Sequence, residues 1–135
     1  MRLASKVELA GYGGTGDPVL STTEIGFNGK GEDDSHETFL IKRGQDGFQF
    51  CKTAQKPYDI VVCAALIILR HRIRTFRVSS DGGPDDWADA IKLCQDVLGY
   101  GVYPCHSNLQ EEEPVTYPEF KFKRMVPEGL KEKKP

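Results

Sequence analysis

The chain is poor in the features that would assign it a chemistry. No apolar run approaches the roughly 18 residues needed to span a bilayer; the longest, Ile60 to Leu69, has ten. The opening residues Met1-Arg2-Leu3-Ala4-Ser5-Lys6 lack the apolar stretch of a secretory signal. Cytoplasmic residence and free thiols are therefore expected. The cysteines Cys51, Cys63, Cys94 and Cys105 include no CxxC pair, which removes the zinc-knuckle and dithiol redox patterns. Three histidines, His36, His71 and His106, have no serine or cysteine in a diagnostic local setting. A formal net charge of −2 over 135 residues favours neither a general nucleic-acid binder nor an acidic mimic. No internal repeat is visible, and the length suits one domain.

What is present is a legible helix–strand–helix segment between Pro57 and Gly101. Its first helix is expected over Tyr58 to about His71, apolar almost all round and therefore buried on several sides. Pro57 suits the first helical position, and Arg70, His71, Arg72 and Arg74 complement the dipole at the far end. Thr75 to Ser79 alternates as a strand does. The second helix is expected from Pro84, with Asp85 and Asp86 in its first turn. Trp87, Ala90, Ile91, Cys94, Val97 and Leu98 are read as its core face. Gly99 stands where a left-handed C-terminal cap belongs.

Before this segment, strands fit Lys6–Ala10, Val19–Phe27 and Glu37–Lys42 as an antiparallel meander, with Asn28-Gly29 as a turn. Phe48-Gln49-Phe50 opens a further short strand. After residue 103 the composition shifts to five prolines, Glu111-Glu112-Glu113 and a basic end. This stretch, 104–135, is read as an extended arm with one edge strand within Val115 to Met125. The fold expected is α+β: an antiparallel sheet of four or five strands packed by two helices over residues 1–103, plus the arm.

Several motifs are weighed and set aside. Gly11-Tyr12-Gly13-Gly14-Thr15-Gly16 matches the GxGxxG dinucleotide pattern, but that motif needs a helix to follow, and Asp17-Pro18 leads into a strand. Ser79 to Asp86 joins a strand to a helix N-terminus and reads as a turn and cap, with Ser80 or Asp81 bonding to backbone N–H groups. Asp33, Asp34, His36 and Glu37, and Cys105-His106, offer metal ligands without a recognised spacing, so no metal or cofactor is assigned. The strongest charge feature is the cluster Arg70, His71, Arg72, Arg74 and Arg77. Four arginines in eight residues can grip phosphate or a carboxylate-rich partner.

The stretch Lys56-Pro57-Tyr58-Asp59 to Leu69, with Val78-Ser79-Ser80-Asp81-Gly82, Trp87 and Val97-Leu98-Gly99-Tyr100-Gly101, resembles small uncharacterised proteins of tailed bacteriophages and prophages of actinobacteria. The resemblance implies an accessory protein made inside a bacterial host cell, and it transfers no catalytic residues. The expected function is a small non-enzymatic protein-interaction module, with a protein partner or self-association and no membrane. The first alternative is nucleic-acid binding through Arg70, His71, Arg72, Arg74 and Arg77, with Tyr100 and Tyr103 as stacking groups. The second is a metal-dependent hydrolase using Asp33, Asp34, His36 or His106.

Overall fold

The apolar run at the middle of the chain becomes the helix that the rest of the molecule packs on. In the computed structural model, residues 7–44, 47–73, 75–105 and 120–125 are described. They form seven strands and three helices: β1 (Leu9–Ala10), β2 (Val19–Leu20), β3 (Glu24–Gly29), α1 (Gly31–Asp34), β4 (Phe39–Lys42), β5 (Gly47–Lys52), α2 (Asp59–Arg72), β6 (Phe76–Ser80), α3 (Pro84–Leu98) and β7 (Phe120–Met125). No helix among these residues is long and apolar enough to cross a membrane.

The central helix α2 begins at Asp59, with Pro57 just outside it. It buries Val62, Cys63, Ala64, Leu66 and Ile67. Ile60, Val61, Ala65, Ile68 and Leu69 are half-buried against the same core, so the helix is covered on several sides as its composition demands. The amphipathic α3 turns Trp87, Ala90 and Cys94 inward. Val97 and Leu98 depart from the expected core face and are 58% and 45% exposed, because the core ends before the last turn. Gly99 adopts φ +84° and sends its N–H to the Gln95 carbonyl at 3.1 Å, closing α3 as a left-handed cap.

The fold is α+β, with a four-stranded antiparallel sheet and two main helices. In that sheet β3 pairs with β1, β2 and β4, in a register that sets Glu24 opposite Lys42 and Phe27 opposite Phe39. The expected single strand Val19–Phe27 is broken at Ser21, whose Oγ accepts the N–H groups of Thr23 and Glu24 at 3.2 and 3.1 Å. That local bonding replaces ladder bonds and folds the segment into a hairpin. Asn28-Gly29 is not the expected turn. Asn28 is buried in β3, accepting from the N–H groups of Gly29 and His36 and donating to the His36 carbonyl and Thr38 Oγ1. The reversal falls instead at Gly31, with φ +83°, and the one-turn α1. The glycine-rich loop forms a short 3₁₀ turn, Tyr12–Gly14, and runs on to β2 without a helix, as its Asp-Pro exit requires.

A second sheet lies beyond the expectation. Strands β5, β7 and β6 form a three-stranded parallel sheet in that order. The edge strand expected within the C-terminal arm is instead the centre of this sheet. Its residue Phe122 belongs to the core, and Arg124 is 0% exposed. Parallel pairing needs a crossover rather than a hairpin, so no local turn signal announces it. The two sheets meet where the Glu37 N–H donates to the Lys52 carbonyl and the Lys52 N–H to Glu37 Oε1, at 3.2 and 2.8 Å. Phe39 joins them through the core, its ring 5.1 Å from Phe27 and 5.2 Å from Phe122.

Candidate functional site

Among the described residues, two places bring polar and aromatic side chains together, at opposite ends of α2. The first is a groove of about 360 Å³ at the helix C-terminus, between Ile67, Arg70 and His71 on one wall and residues 100–104 on the other. The second wall is positioned by the end of α3. After the Gly99 cap, Gln95 Nε2 donates to the Gly101 carbonyl at 2.8 Å, and Gly101 passes so near Cys94 and the Ile91 carbonyl that a Cβ would be crowded. The chain is therefore held against α3 as it returns. His71 and Tyr100 stack face to face, ring centroids 3.8 Å apart and planes 14° apart.

Of the residues singled out in the sequence, Arg70, His71, Tyr100 and Tyr103 line this groove. Arg72, at the end of α2, is exposed and not among its lining residues, and neither is Arg77, which stands on β6. Arg74 lies outside the described residues. Tyr103 is already engaged: its ring meets Trp87 edge-on at 6.0 Å and its hydroxyl donates to the Gly82 carbonyl at 3.3 Å. Burial and the neighbouring Cys105 push its phenol up to about 12, so it keeps that proton at neutral pH.

The second place was not anticipated. At the carboxyl ends of the parallel strands, Arg124 reaches from β7 to Asp59 at the start of α2. Arg124 Nε donates to Asp59 Oδ1 at 3.0 Å, Nη2 donates to Oδ2, and Nη1 donates to Ser80 Oγ at 3.1 Å. Thr53 Oγ1 donates to Asp59 Oδ1 at 2.7 Å. The guanidinium also lies 5.5 Å from the Trp87 ring centroid. Burial by itself would lower the Arg124 pKa, but the bonds to the Asp59 carboxylate outweigh it and hold the group above its ordinary range. Gly82 makes room for this cluster, since a Cβ there would collide with the Asp86 carboxylate and come within 2.8 Å of Arg124 Nη1. Ser80 Oγ accepts the Gly82 N–H at 3.0 Å, the first of the two alternatives expected for this turn, whereas the cap position of α3 is Gly83 with no side-chain bond.

A cleft of about 490 Å³ opens beside this cluster, next to Lys56, Asp59, Asp86 and Asp89. In open sheets with parallel strands, the carboxyl ends are where ligands bind. Here all three guanidinium nitrogens and both carboxylate oxygens are occupied by one another and by Ser80 and Thr53, so the pair is a lock within the core. Sequence reasoning missed it because Arg124 reads as one charge of a neutral arm and Asp59 as a helix-start acid. The alternation Phe120, Phe122, Arg124 was the available signal.

All four thiols are shifted away from the thiolate form. Burial pushes Cys51 up to about 12 and also raises Cys63, Cys94 and Cys105. Asp33 and Asp34 are exposed on α1, His36 is exposed with its N–H bound to Asn28, and His106 lies outside the described residues. Among the described residues no three His, Cys, Asp or Glu side chains gather where they could hold a metal ion. The chain matches no protein-family model, no curated protein and no solved structure.

Proposed function

We propose that the protein is a non-enzymatic protein-interaction module whose docking surface is the groove between the end of α2 and residues 100–104. The observation that carries this reading is the composition of the groove and of the end of α3 that leads into it. Arg70, His71 and Tyr100 converge there, and the adjoining Val97, Leu98 and Val102 are 58%, 45% and 73% exposed. Exposed apolar side chains grouped at one site mark a binding surface, and tyrosine and arginine are the residues that most often dominate such surfaces. The arginine and histidine side chains suit a partner segment that mixes carboxylates with apolar residues. By the resemblance to phage proteins, the partner is a protein of the bacterial host cytoplasm or of the phage itself, and the chain is an accessory factor.

Capture from bacterial lysate after nuclease treatment tests this, with Val102→Glu and Tyr100→Ala set against Leu20→Glu, an exposed apolar site elsewhere. A partner held by the parent and by Leu20→Glu but lost by the two groove variants is the expected result. Equal capture by the groove variants, or release of the partner by nuclease, would overturn it.

A further inference from the structure

Where β3 and β4 meet the end of α2 and the start of β6, their side chains enclose another cavity, of about 410 Å³. Ile41 and Phe76, both buried in the core, line it together with the half-buried Ile25 and Leu69. Ile73, just past the end of α2, lines it as well and is 42% exposed. Small ligands occupy concavities of roughly 300–1,000 Å³ whose apolar walls carry a few convergent polar groups. Here the polar groups come from the β2–β3 turn and the end of β4. Lys42 and Arg43 stand there with Glu24, which is opposite Lys42 in the ladder and is the only acid among the described lining residues. The lining therefore carries one more cation than acid. The backbone around it is already occupied: the Ser21 N–H donates to the Glu24 carbonyl at 3.0 Å, Arg43 N–H to the Thr23 carbonyl at 2.8 Å, and Phe76 N–H to the Ile73 carbonyl at 3.1 Å. A peptide laid in the cavity would bring an N–H and a carbonyl with every residue and need partners for them, whereas a hydrocarbon chain needs none.

From these observations we propose that the cavity binds an aliphatic carboxylic acid of medium length. The hydrocarbon chain lies along the isoleucines, Leu69 and Phe76, and the carboxylate sits at the Arg43 end. A guanidinium holds a carboxylate by charge-assisted hydrogen bonds, which a neutral head group cannot match. Each methylene taken out of water against the aliphatic wall adds to the affinity. Among the described residues the cavity shares none with the groove proposed for a protein partner, so either reading stands or falls alone.

Titration of the full chain with octanoate, followed by the backbone amide resonances in nitrogen-15 spectra, is the test. Saturable shifts should be centred on residues 22–25, 42–44 and 75–76. Decanoate should bind roughly tenfold more tightly than octanoate, in step with its two extra methylenes. Octan-1-ol should bind about fivefold more weakly than octanoate, and Arg43→Gln should erase that difference. Ile73→Glu, a change at an exposed position, should weaken both ligands about tenfold, while Val102→Glu should bind as the parent does. Absence of saturable shifts, shifts centred on residues 100–104, or octanoate binding indifferent to both Arg43→Gln and Ile73→Glu each overturns the proposal. So does tighter binding of acetyl-leucyl-leucine than of octanoate, which would assign the cavity to a protein C-terminus. Movement of the same amides on diluting the protein alone would assign it to a second copy of the chain, and also overturns it. The amide spectrum of each variant separates loss of the site from loss of the fold.

Discussion

The two ends of α2 solve opposite problems with similar residues. At its start, Asp59 and Arg124 are taken out of water and made to satisfy each other, with Thr53 and Ser80 filling the remaining positions. At its end, Arg70, His71 and Tyr100 line an open groove, the surface proposed above for a partner. A charge sealed in the core acts on stability, because leaving its partner unpaired is costly. A charge at a groove rim acts on recognition and contributes little to folding. If the proposed function holds, the same residue type serves stability at one end and recognition at the other, decided by what surrounds it.

The sharpest way to break this contrast is at the sealed end. Arg124→Ala should destabilise the protein by about 3–5 kcal/mol, read from urea unfolding. The double change Asp59→Leu with Arg124→Met should recover much of that loss, since it removes both charges and keeps the volume. If Arg124→Ala unfolds no more easily than an exposed lysine variant, the lock does not exist.

Alkali sharpens the contrast next. Cys51, against Tyr58 near the start of α2, keeps its proton in the folded state up to about pH 12, whereas the unfolded chain releases it near the ordinary thiol value of 9.0. The folded pKa of an acid is raised, so the native state binds more protons and stability falls as pH rises. It should be fully present below about pH 9 and decline from there to about pH 12. Cys51→Ala should flatten that decline in the thermal midpoint.

At the groove end the effects on folding shrink. Gly99→Ala should cost about 1 kcal/mol, because alanine resists the left-handed cap that turns the chain toward Tyr100. Tyr100→Ala and Val102→Glu should change stability by no more than about 0.5 kcal/mol while abolishing partner capture. A large loss of stability in either would mean that the groove is a packing feature.

How far this was legible in the sequence depended on how local each signal was. α2 and α3 stood out because their apolar spacing and end residues are written within a few positions of one another. Asn28 misled because its type favours turns, while its actual use, four hydrogen bonds inside β3, depends on residues 36–38 arriving beside it. Strand β7 carried clear alternation but no hint of its neighbours, which lie 44 and more positions upstream. The groove was half legible. Arg70 and His71 drew notice as charge, Tyr100 and Tyr103 as aromatics, but only the tight return past Gly101 places them in one surface. The Arg124 lock was invisible for the same reason as β7: its meaning lies in pairing across 65 residues.

That central position of β7 has a consequence for how the molecule is made. Until Met125 has left the ribosome, β5 and β6 lack the neighbour they share, and each presents backbone groups to whatever strand is near. The carboxylate of Asp59 waits in the meantime without its guanidinium. Synthesis therefore passes through an interval, ended only by the insertion of one six-residue strand, in which the nascent chain is most open to pairing with the wrong molecule.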